Sequence, residues 1–132
     1  MIKLSQTWDD ALKALCYIAD KQPQVVQIKE IVASQGMSES CLRLIIADLN
    51  RAGIIQSKQG RNGGLILGKP ASKISLYDVF LAVGEEMGIA DCTKDIYCDK
   101  KSSCYTTDAL WGLQRGFHSL LKMQTIEKIL NK

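Results

Sequence analysis

Halfway along this chain the five residues Gly60-Arg61-Asn62-Gly63-Gly64 separate two short apolar runs, Ile54-Ile55-Gln56-Ser57-Lys58-Gln59 and Leu65-Ile66-Leu67. Asn-Gly between such runs predicts a β-hairpin, because both positions of a tight hairpin turn need positive φ. Everything before the hairpin has a helical period instead. Trp8, Ala11, Leu12, Leu15, Ile18 and Ala19 mark an amphipathic helix over about residues 7–21. Thr7 and Asp10 open it as an Asp form of the capping box, and Pro23 ends it. Ile28, Ile31 and Val32 mark a short helix closing at Gly36, and Ser38 caps a third that stops at Gly53. The buried stripe of that third helix is Leu42, Ile45, Ile46 and Leu49. Two helices joined by Gln35-Gly36-Met37 read as a helix-turn-helix, and with the hairpin behind it as a winged helix.

Beyond the hairpin, Ser75 with Asp78 caps a helix from Leu76 to about Glu86, with Val79, Phe80 and Val83 inward. Residues 88–105 break all periodicity and hold three cysteines. Leu110, Leu113, Phe117, Leu120 and Gln124 then step by 3, 4, 3 and 4, a heptad-like seam over about residues 106–124. A helix so apolar on one side predicts dimerisation. Thr125 starts a last short helix with Ile126, Ile129 and Leu130. The expected fold is mainly α with a small β-hairpin wing: a winged helix-turn-helix DNA-binding domain plus a long dimerisation helix. Its parts are the DNA-binding region over 1–73, a linking helix and cysteine-rich loop over 74–105, and the dimerisation helix with a short C-terminal helix over 106–132. At 46% hydrophobic and 23% charged, 132 residues suffice for one packed domain. No apolar run approaches the ~20 residues of a membrane span, and Met1 to Asp10 lacks a secretory apolar stretch, so a cytoplasmic protein is expected.

Charge is uneven along the chain. Residues 1–73 hold ten Lys and Arg against six Asp and Glu, whereas residues 74–132 hold seven against eight. Between Asp48 and Asp78 there is no acid, yet Arg51, Lys58, Arg61, Lys69 and Lys73 lie there. On charge alone this is as well explained by a solvated hairpin. On a winged-helix pattern it favours double-stranded DNA, since cations that neutralise phosphates release condensed counterions. Base reading falls to the outward N-terminal half of the third helix, where Ser38, Glu39, Ser40 and Arg43 are the candidates. Arg43 suits a bidentate contact to guanine, worth ~1–3 kcal/mol of discrimination. Its blander role is a surface ion pair with Glu39. Ser38 doubles as the cap. Lys58 and Arg61 are the candidate wing contacts.

Five cysteines in a cytoplasmic chain are not a disulfide framework. Cys16 and Cys41 fit small buried hydrophobes or lie near that role. Cys92, Cys98 and Cys104 do not, because they are spaced C-x5-C-x5-C among Asp, Lys and Ser. Three thiolates on a polar loop suit an iron–sulfur cluster. Zinc, which more often takes C-x2–4-C pairs, and a metal-free thiol switch are the alternatives. The loop offers no fourth ligand. The single histidine, His118, lies fourteen residues past Cys104, about 20 Å along a helix, and reads as an ordinary helix residue. Thr107 and Asp108 are nearer, with Asp108 suited to a helix N-terminus.

These residues together resemble the bacterial winged-helix iron–sulfur transcriptional regulators of the IscR, NsrR and CymR type, over almost the whole chain. The carriers are Asp9-Asp10-Ala11-Leu12-Lys13-Ala14-Leu15, Ser38-x-Ser40-x-Leu42, Leu49-x-x-Ala52-Gly53-Ile54-Ile55 and Ser57-x-x-Gly60-x-x-Gly63-Gly64-x-x-Leu67, then the cysteine loop and Ala109-Leu110-Trp111. The resemblance implies a homodimeric transcription factor whose Cys92, Cys98 and Cys104 bind a [2Fe-2S] or [4Fe-4S] cluster, and the trio sets it apart from cluster-free members of the CymR type. It also implies a fourth ligand. One branch of the family uses a histidine that falls at Thr107 or Asp108 here, and another uses an aspartate of the partner's first helix that aligns with Asp9. Asp9 is the expected ligand and Asp108 the alternative, with water, a thiol or no fourth ligand still open. In the wing, Gln59-Gly60-Arg61-Asn62 stands where the family often has Arg-Gly, which moves the minor-groove arginine to Arg61.

An enzyme is not expected, because no nucleophile–base constellation is present and Gly60-x-x-Gly63-Gly64 lacks the following helix of a phosphate loop. An electron carrier would show a fourth loop cysteine and no basic hairpin. A thiol/disulfide regulator without metal, using two of the three loop cysteines, is the nearer rival.

Overall fold

The protein, seen as a computed structural model, is described over residues 5–84 and 105–131. Cys92, Cys98 and Cys104 lie outside these residues. Helix α1 spans Gln6–Asp20 and is capped by Ser5, whose Oγ accepts the Trp8 N–H at 3.1 Å. The expected cap at Thr7 is therefore displaced by two residues. Asp10, expected to close that box, is instead buried and accepts from Gln6 Nε2 one turn earlier, at 2.8 Å.

Helix α2, Ile28–Gln35, opens with a capping box in which Glu30 accepts the Gln27 N–H at 2.6 Å. It closes at Gly36, whose φ of 67° is the left-handed conformation that ends helices. Helix α3, Glu39–Arg51, follows after Met37, which is buried, and Ser38. Strands β1 (Ile55–Lys58) and β2 (Gly64–Leu67) pair antiparallel, from Ile55 opposite Leu67 to Lys58 opposite Gly64. Val26, just before α2, bridges to Leu65 and ties the hairpin to the helix-turn-helix.

This register leaves five residues between the strands, so the two-residue Asn62-Gly63 turn does not form. The reversal is instead closed by Gly63 N–H donating to the Gly60 carbonyl at 3.0 Å, and the positive φ, 109°, falls on Gly60. Gly63 is required for space: a Cβ there would stand 2.2 Å from the Lys58 carbonyl oxygen.

Helix α4, Leu76–Ala82, has the expected reciprocal box of Ser75 and Asp78. It ends four residues short of the expected Glu86, because Val83 and then Gly84, at φ 72°, turn the chain out of the helix. Helix α5 spans Thr107–Met123 and α6 Ile126–Leu130. The short α6 is held by Ile126 N–H on the Ile74 carbonyl, and the turn before it by Leu76 N–H on the Gln124 carbonyl.

The core gathers Leu15 and Ile18 of α1, Ile31 of α2, Leu42 and Leu49 of α3, Ile55 and Leu65 of the hairpin, and Ile74, Val79, Leu121 and Ile126. Helix α5 joins it through an aromatic chain: Trp8 packs on Phe80 with ring centroids 4.4 Å apart, and Phe80 meets Phe117 edge-on at 6.3 Å. That contact sets the rotation of α5. Gln114 and Leu121 turn inward and are buried, while Leu113 and Leu120 remain 62% and 63% exposed. The expected seam of Leu110, Leu113, Phe117, Leu120 and Gln124 is thus split: Leu110 and Phe117 are half-buried in this chain, and Gln124 lies past the helix. A second stripe with the same period, Ala109, Leu113, Gly116, Leu120 and Met123, faces outward.

Candidate DNA-binding surface

Because Leu42, Ile45, Ile46 and Leu49 supply the core, the opposite side of α3 is left to solvent, and Ser40, Arg43, Leu44 and Ala47 are exposed along it. Ser38 Oγ caps the helix toward the Cys41 N–H and lies 3.0 Å from Ser40 Oγ. Arg43 does form the i, i+4 pair with Glu39, but at 3.7 Å and with both side chains about half exposed. Such a pair contributes at most ~0.5 kcal/mol and is readily exchanged for a stronger acceptor.

The wing is locked beside α2 by a hydrogen bond from Gln27 Nε2 to the Gly63 carbonyl. Between the wing, α2 and α3 this leaves an open cleft of about 660 Å³, lined among others by Lys29, Arg43, Lys58 and Arg61. The structure therefore brings three of the expected residues, Arg43, Lys58 and Arg61, to one cleft. Ser38 and Ser40 sit at the exposed start of α3, outside that lining.

Lys29 is a fourth cation that the sequence did not single out, since it sits in the first turn of α2 beside Glu30 and only the placement of the wing gives it a role. Among the described residues Glu30 is the one carboxylate in the lining, and it is engaged with the Gln27 N–H. Arg51, by contrast, is neutralised by an ion pair with Asp48 one turn before it. Lys69 and Lys73 are exposed but do not line the cleft. A concave surface with four cations and one internally bonded carboxylate is suited to phosphate oxygens.

Among the described residues no three His, Cys, Asp or Glu side chains stand close enough to hold a metal ion. Asp9 lies on α1 with its carboxylate half exposed and 2.9 Å from Lys13 Nζ. That contact holds the Lys13 ammonium above the ordinary lysine pKa, first by hydrogen bonding and then by charge attraction. His118 is used within the protein, 2.7 Å from Gln114 Nε2 and edge-on to the Tyr77 ring. Asp108 occupies the first turn of α5. Cys16 packs against the core, but Cys41 is exposed, because α3 turns its neighbour Leu42 inward and Cys41 out.

A family model described as an iron-dependent transcriptional regulator, Rrf2, matches residues 4–132. The chain belongs to the Rrf2 family. Rrf2 members are DNA-binding transcriptional regulators and not enzymes, in keeping with the absence of catalytic motifs from the sequence. This Rrf2 chain is 32% identical over 131 residues to Protein aau3 of Rhizobium meliloti (strain 1021), covering 98% of this chain and 85% of that one. Its fold is shared with CymR (YrzC), the global cysteine regulator of B. subtilis, at a TM-score of 0.79 and 22% identity over 99% of this chain and 98% of that one. It is shared likewise with IscR of T. potens, at a TM-score of 0.77 and 23% identity over 98% and 87%. The winged helix read from the sequence is therefore the fold of this protein. Among the described residues no helix is long and apolar enough to cross a membrane.

Proposed function

We propose that this Rrf2 regulator is a cytoplasmic homodimer that binds operator DNA through α3 and the wing and senses redox state, nitric oxide or iron–sulfur supply through a cluster on its three loop cysteines. The observation that carries the DNA half is the convergence of Arg43, Lys58 and Arg61, with Lys29, on one cleft. In this reading Arg43, Ser40 and Ser38 approach base edges and phosphates in the major groove, while Lys58 and Arg61 hold the backbone or reach the minor groove. The observation that supports a dimer is the outward stripe of Leu113, Leu120 and Met123, all 60% exposed or more.

The sensing half rests on donor chemistry. Cys92, Cys98 and Cys104 are soft thiolate donors that fit iron, in a family whose description is iron-dependent. Asp9 is the proposed fourth ligand, presented by the partner's α1, and its half-exposed carboxylate is accessible for that role. A cluster held there supplies one-electron redox chemistry and reactivity toward oxygen or nitric oxide. The chain supplies the coupling. In sequence the cysteines lie between α4, which packs on α1 and α3, and α5, which packs on α4 and carries the outward stripe. A change of state in that segment therefore acts directly between the reading head and the dimer face, and a few kcal/mol of differential contact is enough to shift such an equilibrium.

Anaerobic purification followed by absorbance, iron and sulfide analysis tests the cofactor, and duplex binding before and after oxidation or nitrosylation tests the switch. Iron and sulfide at one cluster per chain, with altered affinity on oxidation, is the expected result. Iron well below that level with disulfides among the three cysteines favours the metal-free thiol regulator, and unchanged affinity refutes the switch. Asp9→Ala should change the cluster spectrum, and an unchanged spectrum removes Asp9 as ligand.

A further inference from the structure

Helix α3 carries five large aliphatic side chains, and only four of them serve the fold. Leu42, Ile45, Ile46 and Leu49 are buried, while Leu44 is 71% exposed. A lone exposed leucine is ordinary on a protein surface. Its placement is what matters here. Leu44 lies in the middle of the outward line, four residues after Ser40 and three before Ala47, next to Arg43 and on the side of α3 away from the core. Every other large aliphatic residue of this helix points inward, so the exposed face has one apolar protrusion set among small and charged groups.

The chemistry around it selects the occupant. Arg43 of the same helix face also lines the cleft with Lys29, Lys58 and Arg61, which favours a polyanion. The base edges of a DNA major groove present one apolar feature, the C5-methyl of thymine, and aliphatic side chains recognise it. The deep, narrow major groove of duplex RNA admits no such helix, and uracil lacks the methyl.

We infer that Leu44 is a specificity-determining residue that reads a thymine methyl group in the major groove. This rests on the DNA-binding reading above. One helical turn separates Leu44 from Ser40, a rise of about 6 Å or roughly two base-pair steps. Arg43 lies within that same turn, so the thymine falls within about two base pairs of any pair that Arg43 contacts.

The test removes the methyl from either side of the contact. The full chain is used to select its preferred duplex from a random pool, and each thymine of that duplex is then replaced singly by uracil. Wild type should lose about three- to five-fold in affinity at one thymine of each half-site, the effect of one buried methyl-sized group. Leu44→Ala should bind the thymine and uracil duplexes equally there while keeping the wild-type circular dichroism spectrum. If every uracil substitution affects the two proteins alike, the assignment of Leu44 is overturned. A change of molecular mass in Leu44→Ala would instead make this face a protein contact and also overturns it. Failure of wild type to select any duplex refutes the DNA-binding reading itself, so the two failures are distinguishable.

Discussion

Replacing Leu113 and Leu120 together by serine should dissociate the proposed dimer without unfolding the chain. Both side chains are about three-fifths exposed, whereas the residues that α5 buries in its own core are Gln114 and Leu121. Fully burying a leucine contributes about 1.5–3 kcal/mol, so covering the part still in water adds about 1–2 kcal/mol for each. An isologous twofold contact presents both leucines twice, giving roughly 4–8 kcal/mol in all. At about 1.4 kcal/mol per factor of ten, the dissociation constant should rise by roughly three to six orders of magnitude. The cost of losing overall translation and rotation is common to both proteins and cancels in this difference. Sedimentation equilibrium of wild type and variant at matched concentrations reads the shift, and an unchanged far-ultraviolet circular dichroism spectrum confirms the fold. A double variant with the mass of wild type, or a wild type that is monomeric at micromolar concentration, would refute the outward stripe as the dimer face.

Lys58→Ala and Arg61→Ala should each lower the slope of log affinity against log salt by about 0.9, Lys58→Ala with sequence preference intact, and an unchanged slope removes that residue from the phosphate contacts. Gly63→Ala places a Cβ 2.2 Å from the Lys58 carbonyl oxygen and 2.9 Å from that of Gly60. Neither backbone atom can yield without opening the wing, so thermal denaturation should show a loss of about 1–3 kcal/mol, and an unchanged midpoint contradicts the turn geometry. Asp9→Asn should bring the Lys13 pKa down toward its ordinary 10.5, followed by NMR titration. Because folding raises that pKa, the small stabilisation from the pair is present below the ordinary value and disappears as pH climbs through the raised one. A Lys13 titration unaffected by the substitution refutes the pair.

What the sequence determined by itself is the part built from short-range signals. Gly36 and Gly53 at positive φ, Ser38 as a cap, and the box of Ser75 with Asp78 stand where their spacing puts them. Each acts through bonds to residues three or four positions away. With the helical and strand periods these signals specify the helix-turn-helix and its wing. The same locality explains the misplaced details. Ser5 and Thr7 are competing caps for one helix, and the strand register rather than the Asn-Gly pair selected a five-residue connection.

Only the tertiary structure decided rotations and meetings. A 3, 4 spacing gives the period of α5 but not its phase, which the Phe117 ring sets by packing on Phe80, leaving Leu113 and Leu120 outside and Gln114 within. Lys29 joins Arg43, Lys58 and Arg61 because Val26 bridges to Leu65 and Gln27 reaches the Gly63 carbonyl, thirty-six or more residues away along the chain. Helix and hairpin formation are decided by neighbours along the chain. The cationic cleft and the apolar outer face exist only once elements distant in sequence have packed, because packing alone chooses which side of each element is left for a partner.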